Sequence, residues 1–94
     1  MELFNLKNVE QAASLLRDVA SKTPLILNVQ KSSEFNANIY FKREDLQQVR
    51  SYKIRGAFNK ISSLNETELA KGVVCASAGN HAQGVAYSCF VKKI

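Results

Sequence analysis

The chain has no tryptophan, one histidine, one proline, two cysteines and four glycines among its 94 residues. Each shortage narrows what it can do. One histidine leaves little room for a zinc site or a Ser-His-Asp triad, and no metal is expected. Cys75 and Cys89 stand far apart with no Cys-x-x-Cys pattern, which argues against a zinc knuckle and against a disulfide framework. Cys75, in an apolar run, reads as a small buried hydrophobe. The longest apolar stretches, such as Gly72 to Ala76, fall far short of a membrane span, so no membrane partner is expected. The start, Met1 to Leu6, lacks the basic and then apolar run of a signal peptide, and the expected compartment is the cytoplasm. No Gly-x-Gly-x-x-Gly follows a strand, and no Walker or Gly-x-Ser-x-Gly motif is present. Internal repeats and low-complexity tracts are absent as well.

What is present describes a soluble globular protein, 46% hydrophobic and 22% charged. The length fits one small domain or part of a larger one. The formal charge is +5, which raises the question of nucleic acid. The basic residues are spread along the chain, however, and Lys42-Arg43 is followed at once by Glu44-Asp45. That pattern reads as a solvated surface with a few anion-binding positions, not a nucleic-acid stripe.

Apolar periodicity predicts a helix capped by Asn8 and running to about Ala20, with Val9, Ala12, Ala13, Leu16, Val19 and Ala20 on one face. Thr23-Pro24 ends it. Residues 25–36 are ambiguous, with a possible helical turn at Ser32 to Phe35. Asn38 to Lys42 reads as a strand and Arg43 to Arg50 as a polar loop. Ser51 is a good cap for a second helix, about Tyr52 to Ser63, with Ile54, Ala57, Phe58, Ile61 and Leu64 apolar. A short helix follows at Glu66 to Lys71, closed by a left-handed Gly72. Val73 to Ala76 reads as a buried strand, and Asn80 to about Lys92 as a last amphipathic helix. Strands alternating with helices predict an α/β fold with a mainly parallel sheet.

Two segments carry chemistry. Lys53 stands at the mouth of a helix, where positive potential favours a neutral, nucleophilic amine able to form an imine with an aldehyde cofactor. A solvated surface lysine is the common alternative. Tyr52 beside it can stack on a planar ring or simply pack in the core. Ser77 to Gly84 leads from a strand into a helix, with small residues and unpaired N–H groups suited to a carboxylate. Loops of this kind also serve only as connections. The Asn80 amide can hydrogen-bond a phenolate oxygen, and His81 is useful more for its backbone N–H than for its ring.

Four blocks carry a family resemblance: Thr23 to Leu25, Tyr40 to Gln47, Ser51 to Ala57, and Ala76 to Gly84. In this order and spacing they resemble the start of the threonine dehydratase (threonine deaminase) family, fold-type II enzymes dependent on pyridoxal phosphate. The implied fold is the N-terminal portion of a tryptophan-synthase-β-like α/β enzyme, with incomplete three-layer α/β/α domains. Residues 1–71 would open the larger domain and 72–94 the smaller, substrate-carboxylate-binding one. The resemblance implies that Lys53 anchors pyridoxal 5'-phosphate, that Tyr52 lies against its ring and that Asn80 meets its 3-oxygen. Ser77, Ala78, Gly79, Asn80 and His81 would surround the substrate carboxylate. Glu44, Asp45 and Arg55 would brace the site through ion pairs. The implied reaction is L-threonine to 2-oxobutanoate and ammonia, for isoleucine synthesis, in a homo-oligomeric parent. Serine dehydratase and serine racemase share these blocks. In relatives the glycine-rich phosphate loop lies beyond the counterpart of Ile94, so the expectations include an inactive fragment or a non-catalytic interaction module.

Overall fold

The computed structural model of the chain describes residues 3–94. Met1 and Glu2, with which the stretch read for a signal peptide and the 1–71 assignment begin, lie outside the described residues. Helix α1 (Leu6–Leu16) starts earlier than expected. Asn5 is its cap, and Asn8 sits three residues on as the answering half of a capping box. The Asn8 N–H donates to Asn5 Oδ1 at 3.1 Å, and the Asn5 N–H donates to Asn8 Oδ1 at 2.8 Å. Its apolar stripe is only partly used: Leu16 is buried, whereas Val9 remains 52% exposed.

Residues 25–36 resolve into strand β1 (Leu25–Leu27) and helix α2 (Val29–Phe35). Asn28 caps α2 by accepting from the Lys31 N–H, and Asn36, at φ 49°, ends it in the left-handed region. Strand β2 (Tyr40–Lys42) pairs with β1, pairing Leu25 with Lys42 and Leu27 with Tyr40. This pair is antiparallel and is the sheet of the described residues, where a mainly parallel one was expected. A second correction concerns Val73 to Ala76. No chain lies alongside to complete a ladder among the described residues, so the segment is irregular, Val74 is 97% exposed and Cys75 is exposed rather than buried.

A 3₁₀ turn (Glu44–Leu46) leads to helix α3 (Lys53–Ser62), followed by α4 (Glu66–Ala70) and α5 (Asn80–Lys92). Gly72 closes α4 at φ +78°, as its position predicts. Helix α3 is the hub of the packing. Ile54 and Phe58 meet Leu16, Val19, Ala20, Val49 and Tyr87, while Ala57 and Ile61 meet Val85, Leu69, Val73 and Cys89. The predicted apolar face of this helix is the one buried. The radius of gyration, 16.2 Å, exceeds the roughly 13 Å of a compact domain near this length. The excess goes with β1 and β2, whose residues Leu25, Ile26, Leu27, Tyr40 and Phe41 all remain exposed. No helix among the described residues is long and apolar enough to cross a membrane.

Ile54, 1% exposed, is the most enclosed core side chain. Ile54→Ala should lower the unfolding free energy by about 2–5 kcal/mol, seen as a collapse of the urea midpoint. A change below about 1 kcal/mol, typical of surface positions, would contradict the assignment of α3 as the hub.

Candidate active site

The chain reverses into α3 through Arg50, which holds φ 62°, and Ser51, which is buried. Tyr52 rather than Ser51 is the cap residue. The Ser51 hydroxyl still contributes, accepting from the Lys53 N–H at 3.4 Å. Lys53 is therefore the first residue of α3. It is half-buried, with its ammonium 5.1 Å from the centroid of the Tyr52 ring. Among the described residues no carboxylate lies within ion-pair distance of it.

The second segment heads α5. The Ser77 hydroxyl accepts from the N–H groups of Gly79 (3.3 Å) and Ala82 (3.2 Å), fixing the turn into the helix. The N–H groups of Asn80 and His81 belong to the first turn, where no earlier carbonyl is available, and they remain open to a ligand. Residues 77–81 are all exposed, including the His81 ring. Ser77 is thus spent on shaping the loop.

These two helix starts are brought together by a contact the sequence reading did not single out. A Cβ placed on Gly84 would stand 3.0 Å from the carbonyl oxygen of Lys53, 3.1 Å from its carbon and 3.3 Å from the Ala57 Cβ. The second turn of α5 therefore rests on the first residue of α3. Ser88, one turn later and fully buried, donates its hydroxyl to the Gly84 carbonyl at 2.7 Å. The signal was present as a small-residue face, Gly84 and Ser88, four residues apart on one helix.

A separate polar network around Glu44 reaches α3 at Arg55, two residues after Lys53. Arg55 grips this carboxylate with two bonds of 2.8 Å, Nε to Oε2 and a terminal nitrogen to Oε1. Thr23 donates its hydroxyl to the same carboxylate at 2.6 Å, and the Gln47 amide adds bonds of 3.2 and 3.3 Å. Gln47, 1% exposed, also exchanges two 2.8 Å bonds with the backbone of Ser21, and the Lys42 ammonium donates to the Thr23 carbonyl. The Arg55 hydrogen bonds, opposed by burial and helped by Thr23 and Gln47, hold the Glu44 carboxyl down at about 2. Asp45, expected in the same brace, instead pairs with Arg43 on the surface, and that bond lowers its pKa. Thr23 and Gln47 are the members that sequence reasoning missed, although both lie in blocks of the resemblance. No cluster of metal-ligating side chains occurs among the described residues.

A lysine at the start of one helix whose backbone seats a second helix, itself headed by open N–H groups, suits an enzyme that holds an aldehyde cofactor. A family model described as pyridoxal-phosphate dependent enzyme matches residues 16–94, and the chain belongs to that family. Among curated proteins it is similar to the biosynthetic L-threonine dehydratase of Halalkalibacterium halodurans, 53% identical over 94 residues, which are all of this chain and 23% of the relative. The corresponding enzyme of Lactococcus lactis subsp. lactis is 55% identical over 86 residues, 92% of this chain and 21% of that protein. Among solved structures, the serine racemase of Dictyostelium discoideum superposes with a TM-score of 0.88 at 40% identity, over 96% of this chain and 30% of that one. The processed form of threonine deaminase isoform 2 from Solanum lycopersicum gives 0.75 at 47% identity, over 87% of this chain and 24% of that one. The chain spans under a quarter of the length of the two curated relatives. The kinship expected from the four sequence blocks, and the α/β fold class with it, are borne out. The residues also fit the family's cofactor: among the described residues the Lys53 amine has no carboxylate partner, and an aromatic ring lies beside it.

The Glu44 pair gives a pH prediction. Its folded pKa, about 2, lies below the ordinary 4.5, so its stabilisation is complete above about pH 4.5 and disappears as pH falls through about 2. Arg55 is more than a third exposed, which discounts the contribution to about 1–2 kcal/mol. Urea midpoints for wild type and Glu44→Gln should differ at pH 6 and converge near pH 2. A constant gap across that range would contradict the pairing.

Proposed function

We propose that this chain supplies the cofactor-anchoring lysine and the substrate-carboxylate loop of a pyridoxal-phosphate-dependent L-threonine dehydratase. The products are 2-oxobutanoate and ammonia. One observation carries this reading: α5 rests on Lys53 itself, so the amine and the open N–H groups of Asn80 and His81 head two helices in direct contact. Relatives more than 50% identical that bear the name L-threonine dehydratase support the choice of substrate.

Lys53 would hold the cofactor through its Nζ, with the Tyr52 ring and the Asn80 amide as its neighbours. The cofactor, when bound, supplies an electron sink for negative charge at the substrate Cα. The open N–H groups of Asn80 and His81, in the loop that Ser77, Ala78 and Gly79 shape, would hold the substrate carboxylate. That grip would orient the Cα proton toward Lys53, whose Nζ, once the substrate amine has displaced it from the cofactor, would take the proton as general base. The Glu44–Arg55 pair, on the turn carrying Lys53, keeps the amine in place and takes no part in the chemistry.

In this reading residues 1–71 open the larger domain of a cytoplasmic homo-oligomer, and residues 72–94, beginning at the left-handed Gly72, open the smaller one. A serine racemase is the second reading. The higher TM-score of the Dictyostelium serine racemase, 0.88 against 0.75, favours it, whereas the higher identity of the tomato threonine deaminase, 47% against 40%, favours the first. In the whole protein, threonine should yield 2-oxobutanoate, and release of D-serine from L-serine as the main activity would instead establish the racemase. The 94 residues alone should release no ammonia from threonine. Borohydride reduction with pyridoxal phosphate, followed by peptide mapping, should place the adduct on Lys53, and Lys53→Ala should abolish the visible absorbance of the lysine-bound cofactor. An adduct mapped elsewhere, or an unchanged spectrum, would overturn the assignment.

A further inference from the structure

Of the four glycines in this chain, three have open space where a side chain would go: Gly56, Gly72 and Gly79 meet nothing within 4 Å. Gly84 is different. Its missing Cβ would meet backbone, the carbonyl oxygen and carbon of Lys53 at 3.0 and 3.1 Å. A flexible side chain there could turn aside. The Lys53 carbonyl cannot, because as the first carbonyl of α3 it accepts the bond that closes the turn carrying the amine. Nor is α5 free to slide, since Val85 is buried against Ala57 and Ile61, and Tyr87 packs beside Ile54 and Phe58.

We infer that Gly84 is a positioning residue: by seating α5 directly on the Lys53 carbonyl, it sets the separation between the Lys53 amine and the N–H groups that head α5. The ligand that feels this spacing is an amino acid whose nitrogen reaches toward Lys53 while its carboxylate sits at residues 78–81. The inference rests on the reading of Lys53 as the cofactor-bearing amine. A methyl at position 84 forces the two helix starts apart by a few tenths of an ångström, and the change falls on the backbone of Lys53 first.

The test treats the 94-residue chain with pyridoxal phosphate and borohydride, and quantifies adducts lysine by lysine. Exposed Lys7, Lys60 and Lys71 serve as internal references. In the wild type, Lys53 should be labelled several-fold more than these. Gly84→Ala should bring Lys53 down to the level of the references while the far-ultraviolet helix signal is unchanged, and Gly56→Ala, where the added methyl meets open space, should keep the enrichment. Enrichment that survives in Gly84→Ala overturns the positioning role. Loss of the helix signal in Gly84→Ala overturns it too, since the glycine is then a requirement of packing alone. A wild type with no enrichment at Lys53 overturns instead the reading on which the inference stands.

Discussion

The crossing of α3 and α5 with no side chain between Lys53 and Gly84 is the constraint on which the arrangement depends. Burial of Ile54, Ala57, Phe58 and Ile61 presses the helices together, and it is nondirectional. It would be satisfied by several crossings that differ by a small slide. The glycine removes that freedom by allowing one register in which backbone meets backbone. Apolar area thus supplies the force, and one missing methyl selects the geometry. The two helix starts become neighbours as a consequence, although they are more than twenty residues apart in sequence.

The polar network around Glu44 works differently. It adds little apolar contact, but it ties the Ser21–Thr23 segment, the 3₁₀ turn and the first turn of α3 through one carboxylate. Arg55 meets Glu44 with two parallel bonds, and the Gln47 amide is shared between Glu44 and the Ser21 carbonyl. A half-exposed pair of this kind contributes modestly to stability. Its effect is directional: Arg55 lies two residues after Lys53, so fixing the guanidinium fixes the rotation of the turn bearing the amine. Packing sets how far α3 stands from α5, and the ion pair sets how α3 is turned.

Local signals in the sequence were legible wherever they decide local structure. The limits of α5 and the left-handed Gly72 follow from patterning and backbone stereochemistry. So does the buried face of α3. The cap of α1 was misplaced by three residues because Asn5 and Asn8 are both good caps, and only the reciprocal pair of bonds shows which one leads; its end was misplaced as well, at Leu16 and not about Ala20. Val73 to Ala76 was read as a buried strand from its composition. Composition gives a preference for extension, but a strand also needs a partner to accept its hydrogen bonds, and none lies beside it among the described residues. Among the candidate site residues, Lys53 and the 77–81 loop were visible as chemistry-bearing types. Gly84 was not, because its role comes from what a second helix places against it.

Exposure separates what this chain supplies from what turnover demands. An amine acting as a general base, and N–H groups holding a carboxylate, gain most of their strength where water is excluded. Here the loop at 77–81 is open to solvent on every residue, and Lys53 is only half-covered. The contact of Gly84 with the Lys53 backbone nonetheless already fixes where the two helix starts stand relative to each other. Orientation is therefore built into these 94 residues, while desolvation has to come from surfaces laid over them. The exposed apolar faces of β1, β2 and Val74 are surfaces of the kind that such a cover would bury.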